Sequence, residues 1–163
     1  MSGRNTGMGC LGTILFVGIF IAVGIGLFIW GLNVLQKAQA SQDWPTADGT
    51  IISATVREDR DDDGTSYFAD VTYQYTAADR RHSSDNVSFG QYGGSSRHAE
   101  GIVARYPVGQ RVTVYYDPDD PMTAVLEPGA NFGSYLLVGM GALFIGVALL
   151  VGLFSLFGIL RRR

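Results

Sequence analysis

The chain has 163 residues, 47% of them hydrophobic, and a formal net charge of −3, which leaves room for one modest domain besides membrane segments. All fifteen acidic residues lie between Asp43 and Glu127, together with seven arginines, so this middle segment carries a net charge of −8 (seven minus fifteen). That balance excludes nucleic acid as an expected partner, because its phosphates require clustered Lys and Arg. The single cysteine, Cys10, excludes an intramolecular disulfide and a cysteine metal cluster.

The first apolar segment, residues 11–35, contains no charged residue and is long enough to cross a membrane as a helix. A bilayer core of ~30 Å needs about 20 helical residues, because each residue adds ~1.5 Å. A signal peptide is the alternative, since Ala38-Gln39-Ala40 resembles a cleavage site. Against cleavage, the apolar stretch exceeds the ~7–15 residues of a signal-peptide core, and Lys37 precedes the site. The sequence therefore predicts a tail of residues 1–10 followed by a transmembrane helix.

The second apolar segment, residues 135–160, predicts another transmembrane helix on the same grounds. Arg161-Arg162-Arg163 follows it directly, and Arg4 precedes the first helix. Basic residues close to helix ends favour the cytoplasmic side, so both termini, including residues 161–163, are expected in the cytoplasm. We therefore expect an integral, multi-pass protein with two spans in the lipid bilayer and with residues 41–130 outside the cytoplasm.

Small residues recur on both predicted transmembrane helices. Gly18, Ala22 and Gly26 follow one another every four residues in the first helix, and Ala142 and Gly146 form a similar pair in the second. Such stripes let helix backbones approach closely in lipid. They predict either that the two helices pack against each other or that copies of the chain form a homo-oligomer. Neither span contains an ionisable residue, which argues against a pump or a transporter.

Between the helices, alternating patterns predict a small sheet. Ile52, Ala54 and Val56 alternate with polar residues, which is typical of a half-buried strand over residues 50–57. The strand predicted at 67–75 has one largely apolar face formed by Tyr67, Ala69, Val71, Tyr73 and Tyr75. Further strands are predicted at 82–89, 110–116 and 123–126, and a short helix at 96–105. The expected fold class is α+β, with two transmembrane helices flanking a small, mainly antiparallel β domain that has one short helix.

Several short motifs of this β-rich segment follow one another in a characteristic order. Trp44-Pro45 and Asp48-Gly49-Thr50-Ile51 open it, and Val71-Thr72-Tyr73-Gln74-Tyr75 comes next. Tyr106-Pro107-Val108-Gly109 then leads into Val112-Thr113-Val114-Tyr115-Tyr116-Asp117-Pro118. With this order the segment, about residues 44–128, resembles the membrane proteins grouped as domain of unknown function 3592. The resemblance implies a β-rich domain beside or between transmembrane helices, with no agreed activity and no catalytic residues to carry over to this chain.

The acidic run that begins at Asp59 is the sharpest local signal for a metal. Counted from that residue, oxygen ligands fall at positions one, three, five, seven and twelve, namely Asp59, Asp61, Asp63, the carbonyl of Thr65, and Asp70. Calcium loops use those spacings, with glycine at position six, which is Gly64 here. The alternative is a solvated acidic hairpin turn, favoured by strand-like flanks and by Asp instead of Glu at position twelve. Calcium is therefore a hypothesis, and no other cofactor is expected.

The sequence offers no arrangement of residues typical of a catalytic site. His82 and His98 lie sixteen residues apart on different predicted elements, and the serines lack the setting of an activated nucleophile. We therefore expect a non-enzymatic membrane protein whose extracytoplasmic domain binds a protein or an envelope component. Two alternatives remain, namely a calcium-responsive binding module at Asp59–Asp70 and an accessory subunit of a membrane complex that docks through the small-residue stripes.

Overall fold

The structure is a computed structural model that describes residues 5–62, 64–91 and 93–160. Along the chain it contains a long helix α1 (Asn5–Ala40), a short 3-10 helix (Ser41–Asp43), strands β1 (Thr46–Asp61), β2 (Gly64–Ala77) and β3 (Arg80–Ser84), helix α2 (Ser96–Arg105), strands β4 (Arg111–Tyr116) and β5 (Ala124–Val125), and helix α3 (Phe132–Leu160). The α+β class is confirmed, because two apolar helices flank an antiparallel sheet and one short helix.

The chain divides into two units, one formed by Met1–Asn33 with Tyr135–Arg163 and the other by Val34–Ser134. By length and composition, two helical segments could cross a membrane, namely Leu15–Asp43 and Phe132–Ser155, with mean hydropathies of 2.5 and 2.6. Their side chains are apolar around the whole helix rather than on one stripe, which is typical of helices surrounded by lipid.

Within the first unit, three glycines lie where α1 and α3 approach each other most closely. A Cβ atom on Gly24 would lie 2.8 Å from Ile145 Cγ1, and one on Gly31 would lie 2.7 Å from the Val138 nitrogen. A Cβ atom on Gly141 would lie 2.6 Å from the Phe28 nitrogen. These distances are shorter than van der Waals contact, so the backbones approach more closely than any side chain there would permit. We call Gly24, Gly31 and Gly141 the glycine seam.

The second unit contains a five-stranded antiparallel sheet in the order β3-β2-β1-β4-β5. Strands β1 and β2 form a long hairpin that pairs from Gly49 with Tyr75 to Asp61 with Gly64. A second tight hairpin joins β2 to β3 through Ala78 and Asp79, whose positive φ angles of 49° and 58° suit a two-residue turn. Strand β3 ends at Ser84, so the predicted strand over residues 82–89 is only partly correct.

Strand β1 contains a bulge at Ile52 that the alternating pattern did not predict. Ile51 pairs with Tyr73, whereas Ser53 pairs with Thr72, so one extra residue of β1 stands between the two pairs. A bulge reverses which side chains face each side of the sheet. Ile51 is consequently buried at 1% exposure, and Ile52 is 43% exposed. The prediction that Ile52 shares a face with Ala54 and Val56 is therefore wrong.

The core lies on one face of the sheet. The buried side chains of β2 are those predicted, namely Ala69, Val71, Tyr73 and Tyr75, with Ala77 added and Tyr67 only half-buried. Two buried tyrosines satisfy their hydroxyls with backbone carbonyls, because Tyr73 donates to Asn86 at 2.8 Å and Tyr75 donates to Pro121 at 2.7 Å. Helix α2 packs against β2 and β1 and contributes buried Ala99, so this helix covers part of the core face.

The beginning and the end of the second unit are joined by one buried hydrogen bond. The Ser41 hydroxyl donates to the Ala38 carbonyl at 2.7 Å and accepts from the Gly129 backbone N–H at 2.9 Å. Ser41 is fully buried, and Gly129 has a φ of 100°, a conformation that favours glycine. Two segments 88 residues apart in the chain are therefore held side by side.

Candidate functional site

The second unit contains a cleft of about 170 Å³. One wall is helix α2, a second is the segment that follows β3, and a third is the segment between β5 and α3. The lining residues are Val87, Ser88, Gly90, Gln91, His98, Ile102, Arg105, Glu127, Asn131, Phe132 and Gly133. The lining therefore combines apolar side chains with a few polar groups, as ligand sites generally do.

Helix α2 presents one face to the cleft. His98, Ile102 and Arg105 follow one another at intervals of four and three residues, which places them on the same side of a helix. Ser95 caps the helix, because its hydroxyl accepts a hydrogen bond from the backbone N–H of His98 at 3.3 Å. The cap fixes where the helix begins, and the buried Ala99 lies where the helix packs against the sheet.

An ion pair stands between two walls of the cleft. Arg105 Nη1 lies 2.7 Å from Glu127 Oε1, and the Tyr106 hydroxyl donates to the same oxygen at 2.8 Å. The backbone N–H of Glu127 donates to the Val87 carbonyl at 2.8 Å, so the backbone at Glu127 is also bonded to the segment that follows β3. The side chains of Arg105 and Glu127 are 56% and 39% exposed, which leaves the pair accessible from solvent.

The opposite wall is held by the N-terminus of α3. The Asn131 side-chain oxygen accepts from the Ser134 backbone N–H at 3.0 Å, and the Ser134 hydroxyl accepts from the Asn131 backbone N–H at 3.3 Å. This reciprocal pattern is a capping box, which satisfies two N–H groups at the start of a helix. Asn131 Nδ2 also donates to the Ser88 hydroxyl at 3.0 Å, and the Ser134 hydroxyl donates to the Phe89 carbonyl at 2.9 Å. These bonds hold the segment after β3 against Asn131 and Ser134.

Burial raises the pKa of Tyr106 from its ordinary value of 10.0 to about 12, and its hydrogen bond to Glu127 adds to the increase. The neutral phenol is therefore favoured in the folded chain, and unfolding becomes easier once the unfolded phenol loses its proton. We expect stability to fall as the pH rises from about 10 to about 12. The Tyr106→Phe variant should show a less steep fall. Thermal unfolding of the full chain in detergent micelles, measured by circular dichroism at several pH values, tests this.

The slope should not disappear in the Tyr106→Phe variant, because burial also raises the pKa of Tyr73 and of Tyr75. If the thermal stability of the variant and of the parent chain fell equally steeply across this pH range, the expectation would be contradicted. Equal slopes would show that folding does not raise the pKa of Tyr106.

The residues of the calcium hypothesis lie on the β1–β2 hairpin. Asp59 pairs with Ser66, which is four residues from Asp70 along β2, a separation of about 13 Å in a strand. The Asp70 carboxylate accepts a hydrogen bond from Arg57 at 2.9 Å, and Asp59 lies 3.8 Å from the same guanidinium. Oxygens that share one calcium ion lie within about 5 Å of each other. In the described geometry both carboxylates are instead paired with the Arg57 guanidinium.

The other residues of that hypothesis lie near the hairpin tip. Asp61 pairs with Gly64 and Thr65 pairs with Arg60, while Asp63 lies outside the described residues. In the part of the chain that the structure describes, no three His, Cys, Asp or Glu side chains are grouped closely enough to hold a metal ion. Calcium binding at this tip stays a prediction.

The predicted small-residue stripe does not form the contact between α1 and α3. A Cβ atom on Gly18, Gly26 or Gly146 would meet nothing within 4 Å, and Ala22 and Ala142 are exposed. The glycine seam takes that role instead. Packing of the stripe against a second copy or another membrane protein stays a prediction.

The cleft residues could not be predicted from local patterns, because the contacts that create the cleft join residues that are distant in the chain. Arg105 and Glu127 are 22 residues apart, and Ser88 and Asn131 are 43 apart. One local signal was present, because Asn131 and Ser134 have the three-residue spacing of a capping box just before an apolar helix. That spacing indicates where α3 begins, but it does not indicate what packs against its first turn.

The comparison with known families agrees with the motif order. Among curated proteins, no relative matches the chain. A family model described as "Domain of unknown function (DUF3592)" matches residues 47–131, which is more than half of the 163 residues. The matched region contains helix α2, the cleft residues up to Asn131, and the whole sheet apart from Thr46, the first residue of β1. The chain therefore belongs to the DUF3592 family.

Proposed function

We propose that this protein is a non-enzymatic, two-span membrane protein whose domain binds a protein or an envelope component outside the cytoplasm, with the cleft as its binding site. The observation that carries the proposal is the cleft itself. Three separate elements converge on a space of about 170 Å³ that combines the apolar side chains of Val87 and Ile102 with an accessible ion pair.

The membrane location is supported by the two helices that could span a bilayer. The orientation is supported by the basic residues Arg4 and Arg161-Arg162-Arg163 at the two ends of the sequence. If these basic residues stay in the cytoplasm and the chain crosses the membrane twice, the domain between the two spans lies on the other side of the membrane.

The non-enzymatic role is supported by the chemistry of the cleft. Among the described residues, its one acidic lining residue is Glu127, which forms an ion pair with Arg105 and accepts a hydrogen bond from Tyr106. These two contacts fix the direction in which the carboxylate points, which suits it to orienting a ligand. The polar groups of the cleft are therefore suited to recognition.

Neighbouring positions on α2 test the orientation and the binding site together. In a Cys10→Ala background, His98→Cys places a thiol in the cleft, and Arg97→Cys places one on the adjacent exposed position outside it. A membrane-impermeant thiol reagent with a photoactivatable group is added to intact cells that express the full chain. We expect both cysteines to be labelled and only the cleft position to yield a crosslinked molecule, identified by mass spectrometry.

Arg97→Cys is the matched control, since it differs from His98→Cys by one residue on the same helix. Labelling that requires cell lysis would contradict the extracytoplasmic location. Equal crosslinking from both positions would contradict the cleft as the binding site.

A further inference from the structure

The cleft includes the residues at which the chain becomes apolar. Phe132 and Gly133 belong to its lining, and Phe132 is also the first residue of the second candidate membrane span, Phe132–Ser155. The Phe132 side chain is 71% exposed. A ligand in the cleft therefore contacts a large apolar side chain at the point where the candidate membrane span begins. A fully water-soluble ligand does not need such a contact, whereas a lipid has acyl chains that suit it.

The cleft also presents both signs of charge within a short distance. Arg105 Nη1 and Glu127 Oε1 lie 2.7 Å apart. A guanidinium has five N–H donors, so one bond to Glu127 leaves donors for an anion. Both Arg105 and Tyr106 bond to the Oε1 atom of Glu127, and a carboxylate has a second oxygen with its own lone pairs. A ligand that carries an anion and a hydrogen-bonding cation matches this pair.

The size of the cleft limits the occupant. A cavity of ~150 Å³ in another protein holds one benzene molecule, so about 170 Å³ suits a group of the size of a lipid head group or a single side chain. The charge of the surroundings limits it further, because the middle segment of the chain carries seven arginines against fifteen acidic residues. A ligand with net negative charge is repelled by that field, whereas a zwitterion with no net charge is not.

We propose that the cleft binds the phosphoethanolamine head group of a membrane phospholipid, an inference that rests on the proposed membrane location and on the cleft as the binding site. Arg105 donates to the phosphate, Glu127 accepts from the ammonium, and Phe132 contacts the glycerol and the first methylenes of the acyl chains. An ammonium donates N–H bonds, and a quaternary choline does not. Discrimination between the two head groups therefore depends on the Glu127 carboxylate.

Lipid retention by the full chain tests this. The purified protein is equilibrated in micelles with equal amounts of phosphatidylethanolamine and phosphatidylcholine, and bound lipids are counted by native mass spectrometry. We expect about tenfold enrichment of phosphatidylethanolamine, because a hydrogen bond to a charged group contributes about that factor. Glu127→Gln should abolish the enrichment while preserving an acceptor for Tyr106, and Arg105→Gln should reduce retention of both lipids.

Matched controls lie on the exposed face of α2, where neither residue lines the cleft. Glu100→Gln and Arg97→Gln should leave retention unchanged. Equal retention of the two lipids by the parent chain, or an unchanged preference in Glu127→Gln, would overturn the proposal. Soluble phosphoethanolamine that binds as tightly as the lipid would overturn the lipid as the source of the head group.

The same variants separate this inference from the proposed function. If His98→Cys crosslinks a peptide or a glycan and no lipid preference depends on Glu127, the head-group inference fails and the binding function stands. If neither retention nor crosslinking depends on the residues of the cleft, both fail.

Discussion

Replacing Gly24 with leucine is expected to separate α1 from α3, whereas the same replacement at Gly26 is expected to leave them together. A Cβ atom at position 24 would lie 2.8 Å from Ile145 Cγ1, 3.1 Å from the Ile145 backbone nitrogen and 3.2 Å from the Gly141 carbonyl oxygen. Backbone atoms cannot rotate away, so the helices must move apart. Overpacking of this kind costs about 1–3 kcal/mol or more. At Gly26 a Cβ atom would meet nothing within 4 Å.

Thiol crosslinking between the helices measures the effect. The rings of Phe20 and Phe144 are stacked with centroids 5.4 Å apart, so Phe20→Cys and Phe144→Cys in a Cys10→Ala background report whether α1 and α3 are adjacent. A flexible bifunctional thiol reagent should yield the crosslink in the parent and in Gly26→Leu, with a several-fold lower yield in Gly24→Leu. Equal yields in the two leucine variants would show that the glycine seam does not hold the pair. Loss of copurifying proteins in Gly26→Leu alone would support docking through the predicted stripe.

Truncation of two adjacent isoleucines should have very different consequences. Ile51 is 1% exposed and belongs to the core with Tyr73 and Val114, so Ile51→Ala is expected to lower the free energy of unfolding by about 2–5 kcal/mol. Ile52 is 43% exposed, so Ile52→Ala should change it by less than about 1 kcal/mol. A small domain has only about 5–15 kcal/mol of stability, so the first loss is severe.

Denaturant titration of the full chain in micelles, followed by near-ultraviolet circular dichroism of the buried tyrosines, compares the two variants. Each variant is the control of the other, because both remove the same atoms from neighbouring positions. A larger loss for Ile52→Ala would show that β1 continues without a bulge and that the alternating pattern of the sequence is correct after all.

Much of the fold could be predicted from local patterns. Charge-free apolar segments predict the two long helices, and the alternation from Ala69 to Tyr75 predicts the buried face of β2 correctly. The bulge could not be predicted, because Ile51 and Ile52 are the same residue type and either one can begin the apolar face. Ile51 is the buried one because it pairs with Tyr73 on the neighbouring strand, and the two residues are far apart in the chain.

The candidate site was much less predictable than the fold. A four-residue spacing drew attention to Gly18 and Gly26, whereas the observed contact between the helices uses Gly24 and Gly31, seven residues apart. Which glycines meet a neighbour depends on the rotation of one helix about its axis relative to the other, and a single sequence does not contain that rotation. The ion pair of Arg105 with Glu127 likewise depends on how α2 lies on the sheet.

The hydrogen bond between Ser41 and Gly129 makes the β domain suitable for insertion into another protein. The segment between these two residues leaves and returns at the same place, because the Ser41 hydroxyl accepts directly from the Gly129 backbone N–H. A segment with adjacent ends can be inserted into a short loop of a host protein without forcing the flanking parts of that host apart. The β domain thus has the geometry of an insertion domain, whose adjacent ends fit into a short loop between two neighbouring helices.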